Sequence, residues 1–288
     1  MDKHSRLVIT AALFGLLAAC GGGGDDGPAA VARTLPVPAI PAQGTPATGR
    51  FVDSAVQGLS YTCGAATSLT DASGEFDFVF GQSCAFRVGG IALGSSTAGN
   101  VVLTPLALVP AAIDETHPTV NNIARLLLSL DSDGDPGNGI VIADSIRSAL
   151  AGATLNVAAL PATFATAAQA LLDTVLPGRT LVDSAQAAGH LKATLLSLFD
   201  GDYDCGYVGA ASGAVTVHIG NGVITGSGTD DESGAPLQVN GALQSSGAAS
   251  LGSASSGASF TGTFYVLGYG SGTWSDSQGS GAWQCVRH

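Results

Sequence analysis

The chain has 288 residues and a formal charge of −12, and it contains 41 glycines, but only 11% of its residues are charged. The acidic balance argues against a nucleic-acid-binding protein, which needs a basic surface to displace counterions from phosphates. The low charge, together with 45% hydrophobic residues, argues against a wholly disordered chain and is typical of short strands joined by tight turns.

The first twenty residues have the organisation of an export signal. Lys3 and Arg6 are basic, residues 7–19 are apolar, and the segment ends in Leu-Ala-Ala-Cys at residues 17–20. Thirteen apolar residues are too few to span a bilayer but suit a signal peptide. The pattern resembles the lipobox of Gram-negative bacterial lipoproteins. The resemblance implies removal of residues 1–19, a diacylglycerol on the sulfur of Cys20 and acylation of the new N-terminus.

The same resemblance predicts where the protein resides. Gly22 stands where many inner-membrane lipoproteins have Asp, which implies an outer-membrane protein facing either the periplasm or the cell surface. The alternative is an ordinary signal peptide followed by a chance cysteine. The processed chain has eight basic and 21 acidic residues, for a formal charge of −13. Lipid, and not charge, would therefore hold it at the membrane.

Residues 20–47 form a predicted lipidated, disordered tether. Glycines come first, prolines follow at positions 36, 38, 41 and 46, and no helical or strand period is present. A flexible chain of this length has a root-mean-square reach of roughly 30 Å, which the prolines extend.

Four cysteines remain after lipidation, and an even number in an exported protein predicts two disulfides. Three pairings are possible. We expect Cys63–Cys84 and Cys205–Cys285, because each bridge then stays within one predicted module. The spacing does not fit a metal site, since the sequence has no Cys-x-x-Cys motif and no His close to these cysteines. A catalytic or redox cysteine is a weaker alternative.

Residues 48–108 are predicted to form strands, because bulky residues alternate with small or polar ones around Phe51, Tyr61, Phe76 and Phe86. The run Thr-Asp-Ala-Ser-Gly-Glu-Phe at residues 70–76 resembles a hairpin of carboxypeptidase-regulatory-like domains. That resemblance implies a transthyretin-type β-sandwich acting as a spacer or a binding platform, without catalysis.

Residues 109–199 change to a helical period, with predicted helices at 119–130, 162–175 and 181–199. Between the first two lies an acidic run, residues 131–144, which resembles the calcium loop of EF-hands and dockerins. The predicted ligands of a structural Ca²⁺ are Asp131, Asp133, Asp135 and Asp144. Pro136 replaces the expected loop glycine, and two extra residues precede Asp144. The alternative is a solvated turn in which Asp131 and Asp144 cap helices.

Residues 200–288 contain seven predicted strands, at 214–220, 222–228, 236–241, 248–254, 259–266, 270–274 and 281–286. Their spacing indicates an antiparallel meander that closes as a small barrel or folds as a sandwich. The run at residues 200–204 is interpreted as a further strand start. The aromatic residues of this region form either a ligand patch or a plug for the barrel: Phe260, Phe264, Tyr269, Trp274 and Trp283.

The sequence thus predicts a mainly β protein with a helical insert: an N-terminal β-sandwich, a central α-helical segment and a C-terminal meander or barrel. Catalytic motifs such as Gly-x-Ser-x-Gly or a phosphate-binding loop are not found in it. We therefore expect a non-enzymatic envelope lipoprotein with a binding, adhesion or structural role toward a protein or glycan partner. Two alternatives remain: a carrier of a small apolar ligand in the barrel, and a hydrolase that uses an Asp/Glu pair.

Overall fold

The computed structural model describes residues 39, 41–97 and 101–288 of the chain. The fold is mainly β with a helical insert, as the sequence predicts. None of the helices in the described part of the chain is long and apolar enough to cross a membrane. The strands before the last helix are β1 (Pro46–Phe51), β2 (Val56–Gln57), β3 (Ser60–Cys63), β4 (Ala66–Leu69), β5 (Glu75–Val79), β6 (Ser83–Val88), β7 (Ile91–Thr97), β8 (Val102–Leu103) and β9 (Ile140–Val141). The helices are α1 (Pro118–Leu130), α2 (Asp144–Ala149), α3 (Pro161–Val175) and α4 (Ser184–Ser197).

The N-terminal strands build two sheets that pack face to face. One sheet has the order β5-β1-β8 and the other the order β4-β3-β6-β7. The ring of Phe86 lies between the sheets, 4.9 Å from the ring of Phe51 and 5.2 Å from that of Phe76, measured between centroids. Alternate residues of β5 and β6 are buried, which is the period-2 pattern that predicted the strands. Within the second sheet, the disulfide Cys63–Cys84 joins β3 to β6.

The helices and the sandwich share one hydrophobic core, which extends from Phe51 to Leu195. Helix α1 lies at its centre, and its Asn121, Asn122, Arg125 and Ser129 side chains are buried and hydrogen-bonded: Arg125 Nε donates to the carbonyl of Val182, for example. The sequence predicts that the last helix begins at residue 181, but α4 begins at Ser184. Asp183 is its extended N-cap and accepts a hydrogen bond from the backbone of Gln186, which fixes the start.

The C-terminal strands close into an eight-stranded antiparallel barrel. They are β10 (Gly201–Gly209), β11 (Gly213–Gly220), β12 (Val223–Asp230), β13 (Pro236–Leu243), β14 (Ala248–Ser253), β15 (Ser259–Tyr265), β16 (Tyr269–Ser275) and β17 (Ser280–Arg287). The sequence predicted seven strands and a strand start at residues 200–204; that start belongs to the eighth strand, which pairs with both β11 and β17. Cys205 and Cys285 face each other in the β10–β17 seam and form the second predicted disulfide.

The two ends of the barrel have different surroundings. At the proximal end, Arg287 donates to the carbonyl of Leu198 just after α4, and Tyr203 donates to the carbonyl of Phe199. Ser245, in the β13–β14 turn, donates to Glu115 of the helical part. The loops at residues 210–212, 231–235, 254–258 and 276–279 lie at the opposite, distal end. The helical part therefore covers one mouth of the barrel and leaves the other available.

Candidate binding site

The interior of the barrel is filled by side chains. Its central cavity has a volume of about 30 Å³, enough for about two water molecules and far below the 300–1,000 Å³ of typical ligand pockets. Trp283 occupies much of this space, and its indole N–H donates to the carbonyl of Thr261. Gly262 makes room for the indole, because a Cβ there would lie 2.5 Å from the Trp283 ring. The interior does not accommodate a small apolar ligand in this conformation.

The predicted aromatic patch is spread over three places. Phe264 and Trp283 pack together inside the barrel, with ring centroids 5.5 Å apart. Phe260 and Trp274 lie nearer the distal mouth, where Trp274 donates to the carbonyl of Val208. Tyr269 stacks on Tyr265 beside the proximal turn. The five predicted residues therefore do not share one surface.

A cleft of about 350 Å³ lies at the distal mouth of the barrel. Its floor is apolar and contains Leu237, Phe260 and Trp274, all of which are nearly buried. Its rim carries three carboxylates and several hydroxyl and amide groups, supplied by Asp230, Glu232, Ser233, Ser255, Ser256, Asp276 and Gln278. A concave site with an apolar floor and a few polar groups is the usual form of a binding site.

Two of the three rim carboxylates, those of Asp230 and Asp276, are held in place by hydrogen bonds from the distal loops. Asp230 accepts hydrogen bonds from the hydroxyl and backbone N–H of Ser233, which lower its pKa and keep it ionised. Tyr207 donates its hydroxyl to Asp230 over 3.2 Å. Burial, aided by the charge of Asp230, raises the pKa of Tyr207, so this hydroxyl stays a donor at neutral pH. Asp276 accepts from the backbone of Gln278 and Gly279.

The distal mouth is uniformly acidic. Asp231 lies beside the cleft residues on the same loop, and the sequence has no Lys or Arg from residue 200 to residue 286. Arg287 is at the proximal end, where its guanidinium packs on the Tyr203 ring. Negative charge at the mouth is therefore not neutralised by any Lys or Arg of the barrel itself.

The acidic loop is organised mainly by its own backbone. Asp131 accepts from the N–H of Val141, Asp133 from the N–H of Asp135, and Asp135 from the N–H of Gly137. Asp131 is buried, its Oδ2 has no hydrogen-bond partner, and it lies beside the carboxylate of Asp133. Burial raises the pKa of Asp131, while hydrogen bonds, first that from Asn138, lower the pKa of Asp133.

The four predicted calcium ligands do not meet at one centre. Asp144 lies on α2 and forms an ion pair with Arg147. The guanidinium of Arg179 donates to the carbonyl of Ser132 at 3.3 Å. Its positive charge acts to lower the pKa of Asp131, against the larger effect of burial. Among the described residues, no group of three or more His, Cys, Asp or Glu side chains is placed to hold a metal ion. Calcium at this loop stays a prediction, with Asp131 and Asp133 as the pair that fits it best.

A second polar cluster, which sequence reasoning missed, lies between the sandwich and α4. Asp53 and Ser54 form a two-residue turn between Val52 and Ala55, and Ser54 has a φ of 57°. Nε2 of His190 lies 3.2 Å from Ser54 Oγ, 3.3 Å from the carbonyl oxygen of Asp53 and 3.6 Å from Asp53 Oδ1.

The carboxylate of Asp53 is the most perturbed group of the cluster. It is 0% exposed, and neither of its oxygens has a hydrogen-bond partner. Burial raises its pKa from 3.8 to about 8. The only sign of this cluster in the sequence is the polar Asp-Ser pair that interrupts the strand pattern between Val52 and Ala55. No local sequence pattern relates this pair to His190, which is 137 residues from Asp53.

The predicted lipidation site, Cys20, lies outside the described residues. No protein-family model and no curated protein sequence matches the chain. Among solved structures, it is similar to a de novo designed fluorescence-activating β-barrel, with 16% identity, a TM-score of 0.28, and coverage of 32% of this chain and 96% of the design. It is also similar to a redesigned β-barrel, with 12% identity, a TM-score of 0.26, and coverage of 33% and 95%. These likenesses are too weak to support a functional argument.

Proposed function

We propose that the protein is a non-enzymatic lipoprotein of the cell envelope, anchored through Cys20 to the outer membrane, whose barrel binds a partner at its distal mouth. The observation that carries this proposal is the cleft of about 350 Å³ with an apolar floor and a rim of carboxylates. The two disulfides are compatible with an exported protein, since such bridges persist in oxidising compartments.

The charge of the mouth determines the kind of partner. Asp230, Glu232 and Asp276 attract a positively charged group, and the apolar floor favours an adjoining hydrocarbon side chain. We therefore infer a protein segment in which Lys or Arg stands next to an apolar residue. A glycan is less suited, because Trp274 is 3% exposed and offers no free ring face for stacking.

The filled interior gives the carrier alternative little support, since the central cavity of about 30 Å³ is too small for a ligand of several carbon atoms. For the hydrolase alternative, a glycosidase-like mechanism needs two carboxylates on either side of one substrate. Asp53 has the raised pKa of a general acid, but its described ionisable neighbour is His190 and not a second carboxylate.

A matched pair of variants tests the binding site. The probe is a fluorescein-labelled peptide of alternating lysine and leucine, measured by anisotropy. Replacing Glu232 by Gln and Asp276 by Asn removes two charges at the mouth; replacing Asp202 and Asp204 by Asn removes two from the barrel wall, where their side chains are 61% and 59% exposed. We expect the mouth variant to weaken binding about tenfold or more and the wall variant less than twofold, with both effects reduced at high salt.

Equal losses in the two variants would show that the peptide responds only to net charge and would remove the distal mouth as the site. The anchor is tested separately by metabolic labelling with a fatty acid. We expect label on the wild type and none on Cys20→Ser, which should also leave the membrane fraction. An unlabelled wild-type protein would contradict the lipid anchor without affecting the peptide result.

The acidic loop has a secondary, structural role in this proposal. We infer that a calcium ion sits against the paired carboxylates of Asp131 and Asp133. What supports this is the buried, unpartnered Oδ2 of Asp131 beside a second carboxylate, because two such groups repel unless a proton or a cation lies between them.

A further inference from the structure

In the cluster of Asp53, Ser54 and His190, a base lies close to both a nucleophile and a carbonyl group. Nε2 of His190 is 3.2 Å from the Ser54 hydroxyl oxygen and 3.3 Å from the carbonyl oxygen of Asp53. His190 is on α4, a helix fixed in the shared core by Ala187, Leu191 and Leu195. Ser54 is held by the turn that leaves β1, and its backbone N–H donates to the hydroxyl of Thr194 at 3.4 Å, one helical turn beyond His190. The geometry therefore depends on rigid elements from two distant parts of the chain.

Two features distinguish this serine from an ordinary surface serine. Its φ of 57° lies in the left-handed region that side-chain-bearing residues rarely adopt. The imidazole that contacts its hydroxyl also contacts the carbonyl oxygen immediately before it, at 3.2 Å and 3.3 Å respectively. The group that would activate the hydroxyl is thus also placed to stabilise charge on that carbonyl oxygen.

We propose that the protein cleaves its own chain between Asp53 and Ser54, with Ser54 Oγ as the nucleophile and His190 as the proton carrier. The substrate is the peptide bond of the turn itself. The reaction is a single intramolecular turnover, so it is independent of the binding role of the barrel and of any external substrate.

The steps balance without a cofactor. With its ring proton on Nδ1, His190 accepts the Ser54 hydroxyl proton at Nε2 while Oγ bonds to the carbonyl carbon of Asp53. The resulting imidazolium lies beside the Asp53 carbonyl oxygen, where negative charge develops, and 3.6 Å from Asp53 Oδ1. It returns the proton to the Ser54 nitrogen as the C–N bond breaks, leaving an ester between residue 53 and Oγ. Water hydrolyses the ester to a carboxyl group and the Ser54 hydroxyl.

The position of this bond in the fold has a consequence for anchoring. Strand β1 precedes the bond and stays hydrogen-bonded to β5 and β8. Both disulfides lie after the bond, so neither would link the two products. This consequence rests on the proposed lipid anchor at Cys20: the cleaved body would remain attached to it through one strand of a sheet until that strand is pulled out, whereas an uncleaved body would be held covalently.

The experiment is a time course on the full-length protein purified in detergent and incubated at 37 °C and neutral pH for one week. The products are separated on a reducing denaturing gel and identified by intact mass and N-terminal sequencing. We expect a fragment that begins at Ser54 in the wild type and is absent from Ser54→Gly, which removes the nucleophile and tolerates the left-handed backbone. His190→Gln should slow the reaction about 100-fold or more, with an unchanged far-ultraviolet circular dichroism spectrum showing that it is folded.

Two results would overturn the proposal. One is a wild-type chain that keeps its full mass throughout the incubation. The other is a fragment that begins at Ser54 and forms at the same rate in Ser54→Gly, because that cleavage would be the work of a contaminating protease. Retention of cleavage in Ser54→Cys, whose thiol is also a nucleophile, would support the intramolecular mechanism.

Discussion

Replacing Asp53 by Asn should make the protein more stable at alkaline pH. The folded protein holds a proton on this carboxylate with a pKa of about 8, because the site is buried, whereas the unfolded chain holds it with a pKa of 3.8. Below about pH 4 the carboxyl group is largely protonated in both states and has little effect on the free energy of unfolding. As the pH rises toward 8, the unfolded chain loses this proton while the folded protein keeps it buried, so the wild type loses stability. The difference of about 4 pKa units corresponds to a loss of about 4 kcal/mol at pH 7, about 5 kcal/mol at pH 8 and roughly 6 kcal/mol well above pH 8.

The measurement is denaturation by guanidinium chloride at pH 4 and pH 8, followed by circular dichroism at 222 nm. Helices α1, α3 and α4 give that signal and share the core around Asp53. Trp274 and Trp283 are both in the barrel, so their fluorescence follows the unfolding of the barrel in the same samples. The diagnostic quantity is the pH dependence, because the Asn amide is also buried and costs a constant amount. An equal pH dependence of stability in the wild type and the variant would refute the reasoning.

Three further outcomes test other parts of the structure. Replacing Cys205 and Cys285 together by Ser should cost the barrel about 4 kcal/mol on the chain-entropy estimate, measured by tryptophan fluorescence during denaturation, and an unchanged midpoint would contradict a role in closure. Gly262→Ala should destabilise the barrel by about 2 kcal/mol or more, since its Cβ would lie 2.2 Å from the backbone carbonyl oxygen of Ser271 and 2.5 Å from the Trp283 ring. Gly252→Ala is the matched control, with its nearest neighbour at 4.0 Å, and an equal loss there would show a general glycine effect. Calcium should raise the melting temperature of the wild type, compared with a sample in chelator, but not that of Asp133→Ala. Identical melting temperatures of the wild type with and without calcium would refute calcium binding at this loop.

Sequence reasoning located most elements because their signals are local. Alternating apolar residues predicted β5 and β6, and the 3.6-residue period predicted α1 to within one residue. The cysteine pairing also followed, because each bridge connects residues of one module. The strand start predicted at residues 200–204 belongs to β10, which extends to Gly209; its extent was not predicted, because Gly, Asp and Cys interrupt the alternation of bulky residues there.

The binding cleft and the Asp53 cluster depended on contacts that no local pattern contains. The cleft combines four loops that are separated along the chain and meet only because the barrel closes. Asp53 and His190 are 137 residues apart and meet because α4 packs into the core of the sandwich.

The sequence by itself determined which residues form strands and helices and which face of each is apolar, because those properties depend on neighbours within one or two turns of chain. Tertiary structure alone decided that aromatic side chains fill the barrel and do not line a cavity, that the acidic loops form one rim, and that an imidazole reaches the Asp53–Ser54 peptide. The physical reason is that an apolar face specifies burial but not the partner against which it is buried.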